Sequence, residues 1–252
     1  EKIKEQIIAG DFYEMNYCLE FFAEDIIIDA VKTFISLNDK AQAPFSSFFK
    51  LGDKYLLCAS PERFLKKEGA KLISQPIKGT IRKGESEEEN TLLQQQLKND
   101  IKEQAENVMI VDLVRNDLAH CSVPGSVQVE ELFGIYGFNT VNQMISTVAS
   151  TARSDVHFTD IIKCTFPMGS MTGAPKVMVM QTIEQYEDFK RGLYSGSVGY
   201  ITPEGDFDFN VVIRGILYNE ADKYLSVPVG GAITYDSGAE KEYEEVLLKA
   251  KA

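Results

Sequence analysis

The sequence predicts an α+β fold built mainly from antiparallel sheet. Predicted strands and helices mix along the 252 residues without the strict alternation that is typical of parallel, doubly wound folds. Many neighbouring strands are joined by short turns, which suit antiparallel pairs. No internal repeat, low-complexity linker or clear change of composition divides the chain, so we expect a single domain.

The first half of the chain contains both helical and strand patterns. Apolar Ile3, Ile7 and Ile8 predict a short helix that Gly10 ends. Alternating aromatic and apolar residues at 12–22 predict a strand. The elements expected here are a helix at 1–10, a strand at 12–22, a helix at 24–37, paired strands at 45–49 and 54–60, a strand at 71–74 and one long helix at 86–116.

The second half follows the same rules. Ser154 is expected to open a helix, and Ala239 begins a final helix that is rich in glutamate. Residues 169–175 are expected to form a glycine-bearing loop. The remaining expected elements are strands at 127–132 and 142–151, helices at 155–164 and 176–189, and strands at 195–201, 207–218 and 224–234.

Composition and charge limit the classes of partner. The apolar fraction of 44% and the charged fraction of 25% are ordinary for a globular protein. No apolar run approaches the roughly 20 residues of a membrane span, so no membrane partner is expected. The net charge of −12 argues against nucleic acid, because no basic stripe offsets it. An anionic substrate would therefore need a local positive site or a metal ion.

The N-terminus and the cysteines predict a cytoplasmic location. Residues 1–5 do not form the start of a signal peptide. The cysteines lie far apart and include no CxxC pair, so we expect reduced, small core residues. They are Cys18, Cys58, Cys121 and Cys164.

A hexapeptide at 75–80 displays a lysine between a proline and a glycine. Pro76 biases the preceding residue towards an extended conformation, and Gly79 lets another backbone approach closely. Glu62 lies 16 residues before Lys78, and a hairpin could bring this acid and this amine to one cleft. An amine attacks only when it is neutral, a state that burial or neighbouring cations favour. The alternative is a surface turn with solvated charges.

Three glutamates could hold a hard cation. Glu106 lies among apolar neighbours in the long predicted helix, and Glu242 and Glu245 are three residues apart on one face of the last helix. Mg²⁺ typically takes one or two carboxylates together with substrate oxygens. For the glutamates of the last helix, the alternative is a solvated acidic face.

A second set of residues could bind an anion. Arg214 lies in an otherwise apolar predicted strand at 210–217, where it must pair with a ligand carboxylate or with an internal Asp or Glu. The pairs Gly169-Ser170 and Gly230-Gly231 offer backbone N–H groups without side-chain hindrance. We find neither a phosphate-binding P-loop nor an obvious triad partner for the two histidines.

Several ordered segments are typical of one protein family. They are GDFYEMN at 10–16, SPERF at 60–64, PIKGT at 76–80, AEN at 105–107, VDLVRNDL at 111–118, GAPK at 173–176, YSGSVGY at 194–200 and EYEE at 242–245. Together they resemble the chorismate-binding domain that component I of aminodeoxychorismate synthase and of anthranilate synthase shares with the isochorismate and salicylate synthases. The resemblance covers nearly the whole chain and implies two large antiparallel sheets flanked by helices.

The resemblance also bears on the domain organisation. It implies that residues 1–252 form a single chorismate-binding catalytic domain. Full-length members have an additional N-terminal part that supplies strands, and we expect this part to be absent here. The chain would then be a trimmed form or a short natural subunit.

The lysine of the hexapeptide selects one branch of the family. Aminodeoxychorismate synthases carry lysine in the PIKGT motif, whereas anthranilate synthases typically carry alanine. The resemblance therefore implies that Lys78 adds at C2 of chorismate as the C4 hydroxyl leaves, with Glu62 as the general acid. Ammonia from a separate glutamine amidotransferase subunit would then attack C4 and expel the lysine. The product, 4-amino-4-deoxychorismate, leads to para-aminobenzoate and folate.

The resemblance assigns the other site residues as well. It implies Mg²⁺ on Glu106 and Glu242, with Glu245 nearby, against the ring carboxylate of chorismate. Tyr194, Arg214 and Gly230 would bind the enolpyruvyl carboxylate. The full set of implied substrate-binding residues is Gly79, Thr80, Gln143, Gly169, Ser170, Tyr194, Arg214 and Gly230.

Three positions depart from the family pattern. Gln143 stands where these enzymes often place a histidine near the reacting ring, and Ala232 replaces the second glycine of the usual pair. Glu14 stands where the water-adding isochorismate and salicylate synthases have a lysine base, which makes those two activities poor candidates. The alternatives to amination at C4 are anthranilate synthase component I and a catalytically silent chorismate-binding subunit.

Overall fold

The computed structural model of the chain describes residues 1–139 and 141–251 and has the α+β architecture that the sequence predicts. The helices are α1 (Lys2–Ala9), α2 (Ala30–Ala41), α3 (Glu87–Asn99), α4 (Ile101–Ala119), α5 (Phe158–Thr165), α6 (Lys176–Tyr186) and α7 (Ala239–Lys251), with a 3₁₀ turn at Gly169–Met171. The strands are β1 (Glu14–Ala23), β2 (Phe45–Leu51), β3 (Lys54–Ser60), β4 (Arg63–Glu68), β5 (Lys71–Gln75), β6 (Ile77–Arg82), β7 (Gln128–Gly137), β8 (Val141–Thr151), β9 (Gly173–Ala174), β10 (Gly199–Ile201), β11 (Phe207–Asn210), β12 (Gly215–Asn219) and β13 (Tyr224–Ile233).

Contacts divide the chain into two compact units. The first unit comprises residues 1–61, 171–198 and 211–252, and the second unit comprises residues 62–170 and 199–210. Each unit contains one antiparallel sheet. The expectation that the whole chain acts as one catalytic domain stays a prediction.

The sheet of the first unit has the strand order β2-β3-β12-β13-β1-β9. Its longest pair joins β1 to β13 in an unbroken antiparallel register, in which Cys18 lies opposite Gly230. Residues of α1 and α6 pack against this region, where Phe12, Met15 and Val179 form a buried cluster. Of the apolar positions that predict α1, Ile3 and Ile7 pack against this cluster, whereas Ile8 is exposed.

The sheet of the second unit has the order β10-β11-β4-β5-β8-β6, and β7 also pairs with β8. β5 and β6 lie end to end along β8 in one continuous register as far as Ile77, which pairs with Ile145. Helices α3 and α4 contact β6 and β8. The hexapeptide at 75–80 therefore lies within a sheet, at the junction of two strands, and the alternative of a surface turn is wrong.

The single long helix expected at 86–116 is wrong, because the chain forms two helices separated at Asp100. This residue has an extended backbone with φ −72° and ψ 111°, and its carboxylate accepts hydrogen bonds from the N–H groups of Lys102 and Glu103. Aspartate stabilises a helix start better than a helix interior, because its side chain binds free N–H groups there. The helical periodicity continues across the cap and hides the break.

The strand expected at 207–218 is also two elements. β11 ends at Asn210 in the second unit, and β12 begins at Gly215 in the first unit. Arg214 lies between them with φ 53°, a left-handed conformation that interrupts a strand. The prediction that Arg214 lies inside a strand is therefore wrong.

Other boundaries also differ from the prediction. The second helix begins after Asp29, and the helix expected from Ser154 begins after His157, because each of these residues caps the helix with its side chain. The strand expected at 195–201 is short, since Ser195 has φ 65°. Within the described ranges, every helix is too short or too polar to cross a membrane.

Candidate active site

Lys78 lies at a β-bulge in the second unit. Ile77 pairs with Ile145 and Thr80 pairs with Gln143, so three steps along β6 match two steps along β8. The extra residue falls at Lys78 and Gly79. A bulge bends the strand and redirects the side chain that it carries, and such irregularities are frequent next to active sites.

The bulge depends on Gly79. This residue has φ 98°, and a Cβ built on it would lie 3.2 Å from Met144 Cβ, 3.2 Å from Glu103 Oε2 and 3.3 Å from Leu97 Cδ1. Both the left-handed backbone and the close packing therefore favour glycine. The nearest atoms are side-chain atoms, so the close approach of another backbone that was predicted at Gly79 is not what the structure shows.

Glu62 is a buried acid beside Lys78. Its side chain is only 4% exposed, between the end of β3 and the start of β4. Burial raises its pKa from the ordinary value of 4.5 to about 7, against the opposing effects of hydrogen bonds from the Ser170 side chain and the Ile77 backbone and of the positive charge of Lys78. A carboxyl group of this kind can hold and release a proton near neutral pH.

The hairpin predicted between Glu62 and Lys78 is present. Strands β4 and β5 pair in antiparallel fashion, with Arg63 opposite Gln75. Glu62 precedes β4 and Lys78 follows β5, so both residues lie at the same end of the hairpin. The positive charge of Lys78 acts on Glu62. The acid and the amine are brought together, while their chemical roles stay predictions.

The Gly169-Ser170 turn also belongs to this group. A Cβ built on Gly169 would lie 2.8 Å from Leu113 Cδ2, so a side chain here would force the Leu113 side chain of α4 to move. Ser170 is 9% exposed, and its side chain favours the ionised form of Glu62 and so lowers the pKa of that carboxyl group. The turn thus places Ser170 against the candidate acid.

Gln143 is buried on β8 opposite Thr80, which is exposed. The Gln143 side chain is 5% exposed, and its Oε1 atom has no hydrogen-bond partner among the residues that the structure describes. Leaving a buried polar atom unsatisfied typically costs about 1–3 kcal/mol. Such an atom is suited to receive a donor from a bound molecule.

The first unit brings together a second group of predicted residues. The Arg214 guanidinium donates a 2.9 Å hydrogen bond to the carbonyl of Lys249, and Tyr194 and Glu245 both act on its charge. Burial lowers the pKa of Arg214 and raises that of Tyr194 well above its ordinary range. Lys249 Nζ in turn donates to the carbonyl of Gly230 at 3.2 Å.

Glu242 and Glu245 of α7 differ in exposure. Among the described glutamates of α7, Glu242 is buried at 9% exposure, and its Oε1 accepts a 2.7 Å hydrogen bond from Ser237 Oγ. Glu245 is exposed and pairs with Lys249. Glu242 is therefore not part of a solvated acidic face, although Glu245 is.

Glu106 lies on the buried face of α4 with 9% exposure, and Lys102 Nζ lies 3.5 Å from its Oε1 atom. It belongs to the second unit, whereas Glu242 and Glu245 belong to the first. Over the part of the chain that the structure describes, no three His, Cys, Asp or Glu side chains form a group that could hold a metal ion. The magnesium site stays a prediction.

The family model described as chorismate binding enzyme matches residues 1–252. The chain belongs to the chorismate-binding enzyme family. The two-sheet α+β fold that the resemblance implied for a chorismate-binding enzyme is also confirmed. The crystal structure of anthranilate synthase component I from Streptococcus pneumoniae matches with a TM-score of 0.90 and 31% identity, over 100% of this chain and 55% of that one.

The chain is also similar to two proteins named aminodeoxychorismate synthase. Aminodeoxychorismate synthase component 1 of Salmonella typhimurium is 39% identical over 241 residues, which are 96% of this chain and 52% of the relative. A chloroplastic aminodeoxychorismate synthase of Arabidopsis thaliana is 42% identical over 246 residues, 96% of this chain and 27% of the relative. The chain thus spans about half or less of the length of these relatives.

Asn107 is a residue of this chorismate-binding enzyme to which the sequence motifs assign no role. Its side chain is 1% exposed and donates to the carbonyl of Lys78. The sequence feature that could have pointed to Asn107 is its position next to Glu106 inside a family segment. The contact itself depends on the bulge at Lys78, which the sequence does not reveal.

Proposed function

We propose that the chain is the catalytic domain of an aminodeoxychorismate synthase, which aminates chorismate at C4 with ammonia to give 4-amino-4-deoxychorismate. The observation that carries the proposal is the pairing of Lys78, at a β-bulge, with the buried acid Glu62, whose pKa is raised to about 7. The names of the Salmonella and Arabidopsis relatives support this branch of the family. The product would serve para-aminobenzoate and folate synthesis.

In the proposed mechanism, Lys78 is the nucleophile and Glu62 is the general acid. The neutral Nζ atom forms a bond to C2, the two ring double bonds move to C1=C6 and C4=C5, and the C4–O bond breaks. Glu62 gives its proton to the leaving hydroxyl, which departs as water, and its carboxylate then takes a proton from the alkylated lysine. Ammonia attacks C4, the two double bonds move back, and the bond between C2 and Nζ breaks as Glu62 returns the proton to Nζ, which restores neutral Lys78 and leaves an ammonium group on C4.

The two carboxylates of chorismate need separate binding groups. Gly79, Gly169 and Ser170 are proposed to bind the ring carboxylate. Tyr194 and Arg214, with the backbone of Gly230, are proposed to bind the enolpyruvyl carboxylate. The planar guanidinium of Arg214 has five N–H donors, so its bond to Lys249 leaves donors for a carboxylate.

Mg²⁺ is proposed as the cofactor, held by Glu106 and Glu242 with Glu245 nearby. Buried carboxylates are suitable ligands for this hard cation, and Glu106 and Glu242 are both 9% exposed. When bound, the ion would neutralise the ring carboxylate of the substrate. The protein residues then orient chorismate and move the protons.

Gln143 and Thr80 are proposed to contact the substrate beside Lys78. The buried Oε1 atom of Gln143 would accept a hydrogen bond from the ring hydroxyl or from incoming ammonia. A histidine in the same place could also carry a positive charge, whereas the amide stays neutral. Glutamine in place of histidine at position 143 therefore favours binding of a neutral hydrogen-bond donor.

Ammonia is proposed to come from a glutamine amidotransferase subunit. The name component 1 of the Salmonella relative implies that this relative acts with another component. We also propose a cytoplasmic location, because all four cysteines are free in the described ranges, as expected in a reducing compartment.

The proposal is tested by incubating the protein with chorismate, Mg²⁺ and ammonium and identifying the product by mass spectrometry. We expect 4-amino-4-deoxychorismate and no pyruvate. Anthranilate with pyruvate would identify an anthranilate synthase instead, an activity named in the Streptococcus pneumoniae structure. Binding of chorismate without any product would identify a silent subunit.

A further inference from the structure

A buried hydrogen bond links helix α4 to the backbone of Lys78. Asn107 lies on the inner face of α4 and is 1% exposed. Its Nδ2 atom donates to the carbonyl oxygen of Lys78 at 3.4 Å. The bond reaches the bulge itself, where the described ladder between β6 and β8 pairs Ile77 and Thr80 but not Lys78 or Gly79.

The Asn107 side chain is held in turn by the sheet. Ser146, which is fully buried on β8, donates from Oγ to Asn107 Oδ1 at 2.6 Å. The Ser146 Oγ atom accepts a 3.1 Å hydrogen bond from the N–H of Phe133. Phe133 has φ 59° and lies where the register of β7 against β8 shifts.

These bonds fix the orientation of the amide. Ser146 Oγ has one proton, which it gives to Asn107, and it receives the Phe133 N–H as an acceptor. Asn107 must then direct its oxygen towards Ser146 and its NH₂ group towards Lys78. Two irregular points of the sheet, at Phe133 and at Lys78, are therefore joined through side chains that have little freedom to move.

We propose that Asn107 and Ser146 are positioning residues that hold the bulged backbone of Lys78 in the conformation from which its amine attacks. This inference rests on the proposed function, because it assigns a role relative to the Lys78 nucleophile. Displacements of about 1 Å in a catalytic group can cost about 100-fold in rate. A bulge held only by strand pairing would allow such displacements.

The competing explanation is that the amide only stabilises packing between α4 and the sheet. Asn142 provides a matched control for this role. It is fully buried on β8, and its Nδ2 donates to the carbonyl of Arg82 at 3.4 Å and to Asn90 Oδ1 at 2.8 Å. Asn142 therefore also connects strand β6 to a helix, and its bond to the β6 carbonyl has the same length of 3.4 Å. This bond, however, lies four residues beyond Lys78.

The test compares Asn107→Ala, Ser146→Ala and Asn142→Ala for kcat, KM for chorismate and melting temperature. We expect the first two variants to lose at least about tenfold in kcat with little change in KM, because geometry at the nucleophile is disturbed. Asn142→Ala should lower the melting temperature by a similar amount while kcat stays within about twofold of the parent. Equal effects on kcat from Asn107→Ala and Asn142→Ala would overturn the proposal.

A conservative variant covers the case in which the alanine variants do not fold. Asn107→Asp keeps an oxygen for Ser146 but replaces the NH₂ donor with an acceptor, so it should lose kcat as Asn107→Ala does. Full activity of Asn107→Asp would show that the bond to Lys78 is not needed, and would overturn the proposal.

A second readout separates this inference from the proposed function. Acetylation of Lys78 by acetic anhydride, followed by peptide mass mapping, reports on the amine without any turnover. We expect the rate of Lys78 labelling to change by at least about twofold in Asn107→Ala and not in Asn142→Ala. If the parent protein makes no aminated product, this comparison alone decides: a changed rate supports positioning, and an unchanged rate overturns it.

Discussion

At the scale of single residues, the site relies on a carboxyl group placed where ionisation is unfavourable. Glu62 is 4% exposed, and burial outweighs the Ser170 and Ile77 hydrogen bonds and the charge of Lys78 that favour its ionised form. The acid is therefore mostly protonated below about pH 7, as the proposed general acid must be. This arrangement lowers the stability of the folded protein, which makes it measurable.

Replacing Glu62 should stabilise the protein at high pH. The folded-state pKa of Glu62 is about 7 against an ordinary value of 4.5, so the native state binds the extra proton between these values and stability falls as pH rises through 7. The full effect is about 3 kcal/mol. The stability of Glu62→Gln relative to the parent protein should therefore be about 3 kcal/mol greater at about pH 8 than at about pH 4. The variant should also lose kcat.

Urea unfolding at both pH values checks this prediction. Glu204→Gln, at an exposed turn, is the control and should change stability little at either pH. A Glu62→Gln variant whose stability relative to the parent is independent of pH would contradict the buried, neutral acid.

Removing the Ser170 hydroxyl should shift the pH profile in a defined direction. The Ser170 hydrogen bond lowers the pKa of Glu62, so its loss in Ser170→Ala lets that pKa rise above about 7. A general acid must be protonated, so the falling limb of kcat/KM should move to higher pH. Ser122→Ala, which removes a buried serine bonded to Ser150, should leave the limb in place. A limb that stays or moves to lower pH in Ser170→Ala would refute the assignment.

At the scale of secondary-structure elements, one irregularity in one strand organises the second unit. β5 and β6 share a register along β8 until Ile77, and the extra residue then moves every later residue of β6 by one position. Gly79 allows this because glycine can adopt φ 98° and has no Cβ, which would lie 3.2–3.3 Å from three side-chain atoms. The conformation of Lys78 therefore depends on a glycine beside it.

A methyl group on Gly79 should damage both stability and activity. Gly79→Ala forces an unfavourable φ and a steric contact, so we expect a loss of about 1–3 kcal/mol and at least about a tenfold drop in kcat. Gly69→Ala is the matched control, because Gly69 has φ 58° in the β4–β5 turn but a Cβ added there would meet nothing within 4 Å. It should lose about 1 kcal/mol and keep its kcat. Equal urea midpoints and equal kcat values for the two variants would contradict the role of the bulge.

Several elements were predictable because local patterns determine them. The alternation in β1, the β2–β3 hairpin around Gly52 and the end of α1 at Gly10 all follow from side-chain period and turn residues. The break at Asp100 and the left-handed Arg214 were missed, because helical or strand periodicity continues through both positions. The first break is set by a local side-chain cap and the second by a left-handed backbone, and periodicity reports neither of them.

At the scale of the whole molecule, the chain has a net charge of −12 and is proposed to bind a dianion. The positive groups expected to receive it, Lys78 and Arg214, are single residues rather than a basic surface. The PIKGT segment and the spacing from Glu62 drew attention to Lys78, and the position of Arg214 in an apolar stretch drew attention to that residue, while the roles of both stay predictions. The bonds that Asn107 makes were not predictable, because they join it to Lys78, 29 residues away, and to Ser146, 39 residues away.

The proposed mechanism requires a covalent bond between Lys78 and chorismate. Its most direct test is intact-protein mass spectrometry with peptide mapping, after incubation with chorismate and Mg²⁺ but without ammonia. We predict a mass gain of chorismate minus one water, located on Lys78 and absent from Lys78→Ala. An adduct that persists in Lys78→Ala, or amination at C4 without any adduct on Lys78 under these conditions, would contradict the claim.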